Sequence, residues 1–313
     1  MNNSGLQQEQ TMTAGRRKLS GGALHSRKVA PYVFVSPFII TFLMFQMYPI
    51  ISSFIMSFQE IVPGDTKFIG VQNYSKLVQD QHFYTAVWNS MRYTFWTLLI
   101  LLPVPLVLAV FLNSTKMVAK NFFRSTLFIP ALTSIVVGGA IFRLIFGELE
   151  NAPMNVLLSL FGYEPVKWTS GAGTGMFLMV ALASWRWMGV NIIYFLSGLQ
   201  SIPNELYEAA DMDGANAFTK FFNITIPLLK PVTVYVLTIS IFGGFHMFTE
   251  SYVFWGTKSP SDIGLTIVGY LYQQSFEFFD MGYGSAIGVA FLVLVLAINL
   301  LQLFVSGQFR KEA

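Results

Sequence analysis

The sequence predicts an all-α protein that crosses a membrane with six helices, and two observations lead to this prediction. The 313 residues are 54% hydrophobic and only 11% charged, whereas about 25% of the residues in a soluble domain are charged. Six long apolar stretches also follow one another, and each reaches the ~20 residues that a helix needs to cross the hydrocarbon core. A soluble core cannot bury so much apolar surface, so lipid must cover part of it.

The six predicted spans are separated by more polar connections. Their approximate ranges are 31–58, 88–113, 122–147, 175–199, 232–256 and 283–306. Several contain proline or glycine, which membrane helices tolerate because neighbouring helices satisfy the freed backbone groups. The first stretch lacks the small-residue cleavage site of a signal peptide, so we interpret it as an uncleaved span.

The uneven distribution of Lys and Arg predicts the topology. Twelve lie in the arm 1–30, the loops 114–124 and 200–231 and the tail 307–313, against four in the connections on the other side. Cytoplasmic loops carry an excess of Lys and Arg, so both termini and the loop 200–231 are predicted to face the cytoplasm, with the protein in the cell membrane. The arm, rich in Gln, Ser and Gly, is predicted to be disordered.

Several kinds of site are excluded by what the sequence lacks. Without cysteine there is no disulfide, Cys-ligated zinc or thiol catalysis. No Gly-rich phosphate-binding loop occurs, and His25, His82 and His246 lie far apart with no metal-ligand spacing. The net charge of +3 gives no indication of nucleic-acid binding. The chain is therefore predicted to be no enzyme and to hold no metal or cofactor, so any ATP hydrolysis belongs to another chain.

The loop 201–231 shows a helix–glycine–helix pattern. Ser201 is the predicted N-cap of a short acidic helix that reaches about Asp213, and Gly214 suits a C-terminal position with positive φ. Pro227 and Pro231 are expected to end a second helical piece before the fifth span.

The acidic helix of this loop is predicted to dock on a partner. Ala209 and Ala210 are small enough to let it lie in a groove of another protein. The alternative is an amphipathic segment that rests on lipid headgroups. That alternative is disfavoured because anionic lipid would repel the acidic half of the loop.

The loop resembles the EAA motif of importer-type ABC permeases, in which Glu-Ala-Ala precedes a glycine, an isoleucine and Leu-Pro at fixed spacing. Here the matching residues are Glu208-Ala209-Ala210, Gly214, Ile224 and Ile226-Pro227, with isoleucine in place of leucine as the one departure. Further segments resemble carbohydrate permeases of the maltose-permease type, among them Tyr48-Pro49, Phe68–Tyr74, Phe122–Arg124 and Gly282–Ala286. The turn Thr257–Pro260 departs at two positions from the Thr-Gly-Gly-Pro usual in the family. Within it, the chain most resembles arabino-oligosaccharide permease subunits of Bacillus type.

This resemblance implies a type I ABC importer permease fold, with a permease core over 88–306 and a coupling loop at 201–231. It implies that the coupling helix lies in a cleft of an ATPase that binds ATP and Mg²⁺. The implied coupling residues are Glu208, Ala209, Ala210, Asp213, Gly214 and Pro227. The implied partners are a second, homologous permease in a heterodimer, two ATP-binding subunits and an extracytoplasmic sugar-binding protein.

A sugar path is predicted from aromatic and hydrogen-bonding residues near the membrane middle, because sugars carry many hydroxyls and few charges. The candidates are Trp185, Arg186, Trp187 and Asn191 of the fourth span and Phe245, His246, Thr249, Glu250 and Tyr252 of the fifth. His246 and Glu250, four residues apart, are expected on one helical face. Alternatively, these residues only bond neighbouring helices or the second permease.

Two other functions stay open. An ion-coupled secondary sugar transporter needs inverted repeats and intramembrane carboxylates, and only Glu250 approaches the latter. A membrane-embedded hydrolase is disfavoured because the sequence offers no catalytic constellation. Dependence of uptake on ATP separates the first alternative from an ABC importer.

Overall fold

The computed structural model describes residues 29–62, 64–114 and 117–308. The predicted arm 1–30 and tail 307–313 therefore lie outside the described residues, except for two residues of each. The chain divides into two compact units, Met1–Ser53 and Phe54–Ala313.

The first unit consists of helix over most of its described residues. α1 spans Ala30–Phe42, a wider π-helical turn covers Leu43–Met47, and α2 continues over Tyr48–Met56. Pro37 lacks the N–H that the Val33 carbonyl needs, and the Ser36 hydroxyl donates to that carbonyl at 2.9 Å instead. No residue of these helices is buried within the chain.

The second unit contains one β-hairpin and the remaining helices. β1 (Gln59–Val62) pairs antiparallel with β2 (Asp65–Phe68), with Gln59 opposite Phe68. The α-helices that follow are α3 Gln72–Gln79, α4 Gln81–Leu101, α5 Pro103–Asn113, α6 Lys120–Leu132, α7 Ile135–Ile145, α8 Pro153–Ser159, α9 Ala172–Gln200, α10 Asn204–Met212, α11 Ala217–Lys220, α12 Ile226–Leu228, α13 Lys230–Phe245, α14 Thr249–Trp255, α15 Ile267–Tyr272 and α16 Met281–Val305.

The described residues hold five helices that are long and apolar enough to cross a membrane, or six if the bent pair α6–α7 counts as one span. The predicted multi-spanning architecture is thus confirmed, mostly helical with a short hairpin at β1–β2, and the chain is a multi-pass membrane protein. α9 is the most buried of these spans. It packs against α4, α5, α6 and α13, so it forms the centre of the second unit.

The third span bends by 98° between α6 and α7. Thr133 and Ser134 both take extended ψ angles, 136° and 133°, which ends one helix and starts the next. Beyond the bend α7 packs closely on α14. A Cβ atom on Gly139 would lie 2.1 Å from a methyl group of Val253, so only glycine permits this contact.

The fifth span is broken between α13 and α14. His246, Met247 and Phe248 are not helical, and the Met247 carbonyl accepts a hydrogen bond from the Thr266 hydroxyl at 2.9 Å. The expectation that His246 and Glu250 share one helical face is therefore wrong. The helix can break because a neighbouring segment satisfies the backbone group that the break frees.

Candidate functional site

The acidic helix of the loop 201–231 begins later along the chain than the sequence predicted. Ser201 does not cap the acidic helix, because its hydroxyl donates to the Gly198 carbonyl at the end of α9, at 2.7 Å. Pro203 disfavours helical geometry in the residue before it, and the short helix α10 starts only at Asn204. Ile202, between the two helices, is buried in the core.

Helix α10 ends in a Schellman motif. Gly214 has φ +75°, as its position in the sequence predicted. The N–H of Ala215 donates to the Ala210 carbonyl at 2.9 Å, and the N–H of Gly214 donates to the Asp211 carbonyl at 3.1 Å. These two bonds turn the chain sharply and satisfy carbonyls at the helix end.

Most of the predicted coupling residues lie exposed on this loop. Glu208, Ala209, Asp213, Gly214 and Pro227 are exposed, and only Ala210 is half-buried.

Two contacts hold the loop in shape behind this exposed surface. The Tyr207 and Thr225 hydroxyls bond at 3.0 Å, and Lys220 pairs with Asp211 at 2.5 Å. No residue of α10 is buried. The helix is thus anchored through Tyr207 and Asp211, and Glu208 stays exposed beside them.

A cavity of about 280 Å³ lies between α4, α9 and α13. Of the nine predicted path residues, Trp187, Asn191 and Glu250 line it. Its lining also contains aromatic and hydroxyl side chains that the sequence interpretation missed, namely Tyr93, Thr97, Tyr194, Ser240 and Phe242. Tyr93 and Thr97 lie four residues apart and so share one face of α4, and this polar pair in the second span is the pattern that could have revealed them.

Asn191 serves the packing of the helices as well as the cavity. Its side-chain amide donates to the Leu101 carbonyl at 2.8 Å. That carbonyl has no helical donor because the residue four positions later, Pro105, lacks an N–H. Asn191 therefore fixes α9 to the proline-containing junction of α4 and α5.

Arg186 and Glu250 interact electrostatically with each other and with Tyr93. Glu250 is buried in the first turn of α14, where the positive end of the helix dipole favours a carboxylate. The Arg186 guanidinium lies 5.3 Å from the Trp187 ring, and its Nε is buried without a hydrogen-bond partner. Glu250 thus lines the cavity as a buried acidic group that interacts with Arg186.

The other predicted path residues lie outside the cavity lining. Trp185 contacts Phe142 with ring centroids 5.8 Å apart, and Phe245 is buried in a hydrophobic cluster. His246 is exposed and stacks on Phe242, with ring centroids 5.5 Å apart. Thr249 is half-buried, and Tyr252 is exposed beside Phe248.

A second polar cluster joins helix ends away from the loop 201–231. Asp80 caps α4 through the N–H of His82 and accepts hydrogen bonds from the Tyr270 and Tyr283 hydroxyls. Burial alone would raise the pKa of Asp80, but these hydrogen bonds outweigh burial and lower it. Asp80 therefore ties the start of α4 to α15 and α16 in its ionised form.

Comparison with known proteins places the chain in a family. Residues 102–311 match the family model described as "Binding-protein-dependent transport system inner membrane component". The arabinooligosaccharides transport system permease protein of Bacillus subtilis is 59% identical over 92% of each chain. The lactose transport system permease protein of Rhizobium radiobacter is 31% identical over 88% of this chain and 94% of its own.

A solved structure shares the fold. It is the crystal structure of a bacterial ABC transporter involved in the import of the acidic polysaccharide alginate, with a TM-score of 0.80 at 23% identity. The match covers 91% of this chain and 97% of the other. The resemblance to carbohydrate ABC importer permeases is thus confirmed, and the chain belongs to the family of binding-protein-dependent transport system inner membrane components.

Proposed function

We propose that this chain is the permease subunit of an ABC importer for arabino-oligosaccharides. The cavity between α4, α9 and α13 carries the proposal, since its aromatic rings, hydroxyls and one amide suit a neutral, hydroxyl-rich cargo. The 59% identical relative is named for the transport of these sugars. Trp187 and Tyr194 supply ring faces, and Asn191 and Ser240 supply hydrogen-bonding groups.

The loop 201–231 is proposed to couple transport to a separate ATPase. In this proposal both termini and the loop face the cytoplasm, as the distribution of Lys and Arg predicts. Glu208 and Ala209 of helix α10 are exposed, and so is Asp213 directly after it. Such a short rigid helix fits a groove on a partner, and its end at Gly214 lets the chain leave the groove at once.

The proposed complex contains further subunits. A second, homologous permease completes the path, and two ATP-binding subunits hold ATP and Mg²⁺. An extracytoplasmic sugar-binding protein delivers the cargo, in keeping with the family description. One solved relative is described in complex with an alginate pentasaccharide-bound periplasmic protein, which supports the last of these partners.

Reconstitution of the complete complex in vesicles tests this function. We expect labelled arabino-oligosaccharide to enter only when ATP and the binding protein are both supplied, and an uncoupler to leave the initial rate unchanged. Uptake that persists without ATP and collapses with an uncoupler would instead establish the ion-coupled transporter.

A further inference from the structure

The cavity is part of a longer groove between two helical faces. On α9 the lining residues recur every three or four positions, from Ala183 through Trp187, Asn191, Tyr194 and Ser197 to Ser201. On α13 they recur in the same way, from Pro231 through Tyr235 and Ile239 to Phe242. Such spacing keeps side chains on one face of a helix. Ser201 is 18 positions after Ala183, so the groove is about 27 Å long at 1.5 Å per residue.

A second cavity of about 440 Å³ occupies the end of this groove near the loop 201–231. Tyr194 lines both cavities, so they adjoin at its side chain. Ser197 and Ser201 supply hydroxyls in the second cavity.

Tyr194 and Tyr235 face each other across the groove where the cavities meet. Their ring centroids are 5.3 Å apart and the rings are nearly perpendicular, at 88°. Tyr235 is 51% exposed, so its ring remains accessible from the groove. A ring held at this angle offers a flat face on which the apolar side of a sugar ring can stack.

The chemistry of the groove suits a neutral cargo over most of its length. Among the described residues that line the two cavities, Glu250 at the far end is the only one with a charged side chain. The second cavity therefore offers the same kinds of group as the first, namely tyrosine rings and serine hydroxyls.

We infer that Tyr194 and Tyr235 form a second sugar-binding subsite, which holds the residues of an oligosaccharide that extend beyond the first cavity towards the cytoplasm. The inference rests on the proposed function. It predicts that the subsite matters more as the sugar chain grows, because a short sugar is held by the first cavity alone.

Uptake of an arabino-oligosaccharide series from the disaccharide upwards tests the inference in the reconstituted complex. For Tyr235→Ala we expect a roughly two- to tenfold loss of apparent affinity for the longer sugars, because the variant loses one aromatic contact with the sugar. Uptake of the disaccharide should change little, and Tyr235→Phe should keep most of the affinity because the ring remains. Ser197→Trp, which fills the subsite without removing a ring, should cause the same length-selective loss.

Phe111→Ala is the matched control, because Phe111 is an exposed aromatic residue near the same ends of the spans and lines neither cavity. If Tyr235 merely anchors the helix at the membrane interface, Tyr235→Ala and Phe111→Ala will lower uptake of all lengths alike, and the inference is overturned. Unchanged uptake in both Tyr235→Ala and Ser197→Trp overturns it as well. Should the unmodified complex import none of these sugars, the proposed function itself fails, and the subsite with it.

Discussion

At the scale of single residues, Gly214 is needed for its backbone conformation and not for the packing of neighbouring side chains. Its φ of +75° strains any residue with a Cβ atom, yet an added Cβ would meet no atom within 4 Å. The cost of Gly214→Ala is therefore conformational, about 1–2 kcal/mol. We expect the variant to assemble normally but to lower the sugar-stimulated ATPase rate of the complex about fivefold or more. Gly214→Asn should lose less, since asparagine adopts this conformation more readily, and an unchanged rate in Gly214→Ala would argue against the role of this turn.

Asn191 offers a second test at this scale. Asn191→Ala removes the donor to the Leu101 carbonyl, and a buried acceptor left without a partner costs about 1–3 kcal/mol. We expect a lower midpoint of thermal unfolding for the purified complex. Asn121→Ala, which alters an exposed asparagine, is the control and should not shift the midpoint. Equal midpoints for the two variants would show that the carbonyl finds another donor.

At the scale of elements, the close crossing of α9 and α6 depends on Gly189. A Cβ atom there would lie 2.1 Å from the Leu127 carbonyl oxygen, so Gly189→Ala must push the helices apart. Overpacking of this kind costs about 1–3 kcal/mol. We expect a reduced yield of folded protein and a lower unfolding temperature. Gly173→Ala in the same helix meets no atom within 4 Å and should behave as the unmodified protein does.

The Asp80 cluster predicts a dependence of stability on pH. Hydrogen bonds lower the pKa of Asp80 in the folded state below the ordinary value of 3.8. Its contribution is therefore fully present above that value and is lost as pH falls through the lower, folded-state pKa. We expect Asp80→Asn to be less stable than the unmodified protein at neutral pH, with a gap that narrows in acid, as measured by thermal unfolding. A gap that is independent of pH would contradict the assignment.

The sequence predicted some elements and not others for identifiable reasons. The apolar stretches predicted the spans, and Gly214 predicted the turn at the end of α10. Both predictions succeed because each structure depends on residues that are adjacent in the sequence. The break in the fifth span depends on a hydrogen bond from Thr266, which is distant in sequence from Met247. Tyr194 faces the cavity only because of how α9 packs against α4 and α13, so its role could not be seen from local patterns.

At the scale of the whole molecule, the groove between α9 and α13 and the exposed helix α10 both fit a sugar transporter that a partner ATPase drives. The groove between α9 and α13 suits neutral sugars, and it ends beside the loop 201–231, where α10 is exposed and acidic. Because α9 leads directly into this loop, a force applied to α10 is transmitted to one wall of the groove. This continuity is the physical basis that we propose for coupling ATP hydrolysis on a partner to the access of sugar.

The absence of cysteine from the chain permits a direct test of that coupling, because one introduced cysteine is then the only thiol in this chain. Ala209→Cys in α10 and Ser75→Cys in α3 both place a thiol at an exposed position, at opposite ends of the spans. A thiol-to-amine cross-linker should join Ala209→Cys to the ATPase subunit in the assembled complex and leave Ser75→Cys unlinked to it. Failure of Ala209→Cys to cross-link in a complex that still hydrolyses ATP, or linkage of the ATPase to Ser75→Cys instead, would contradict the account.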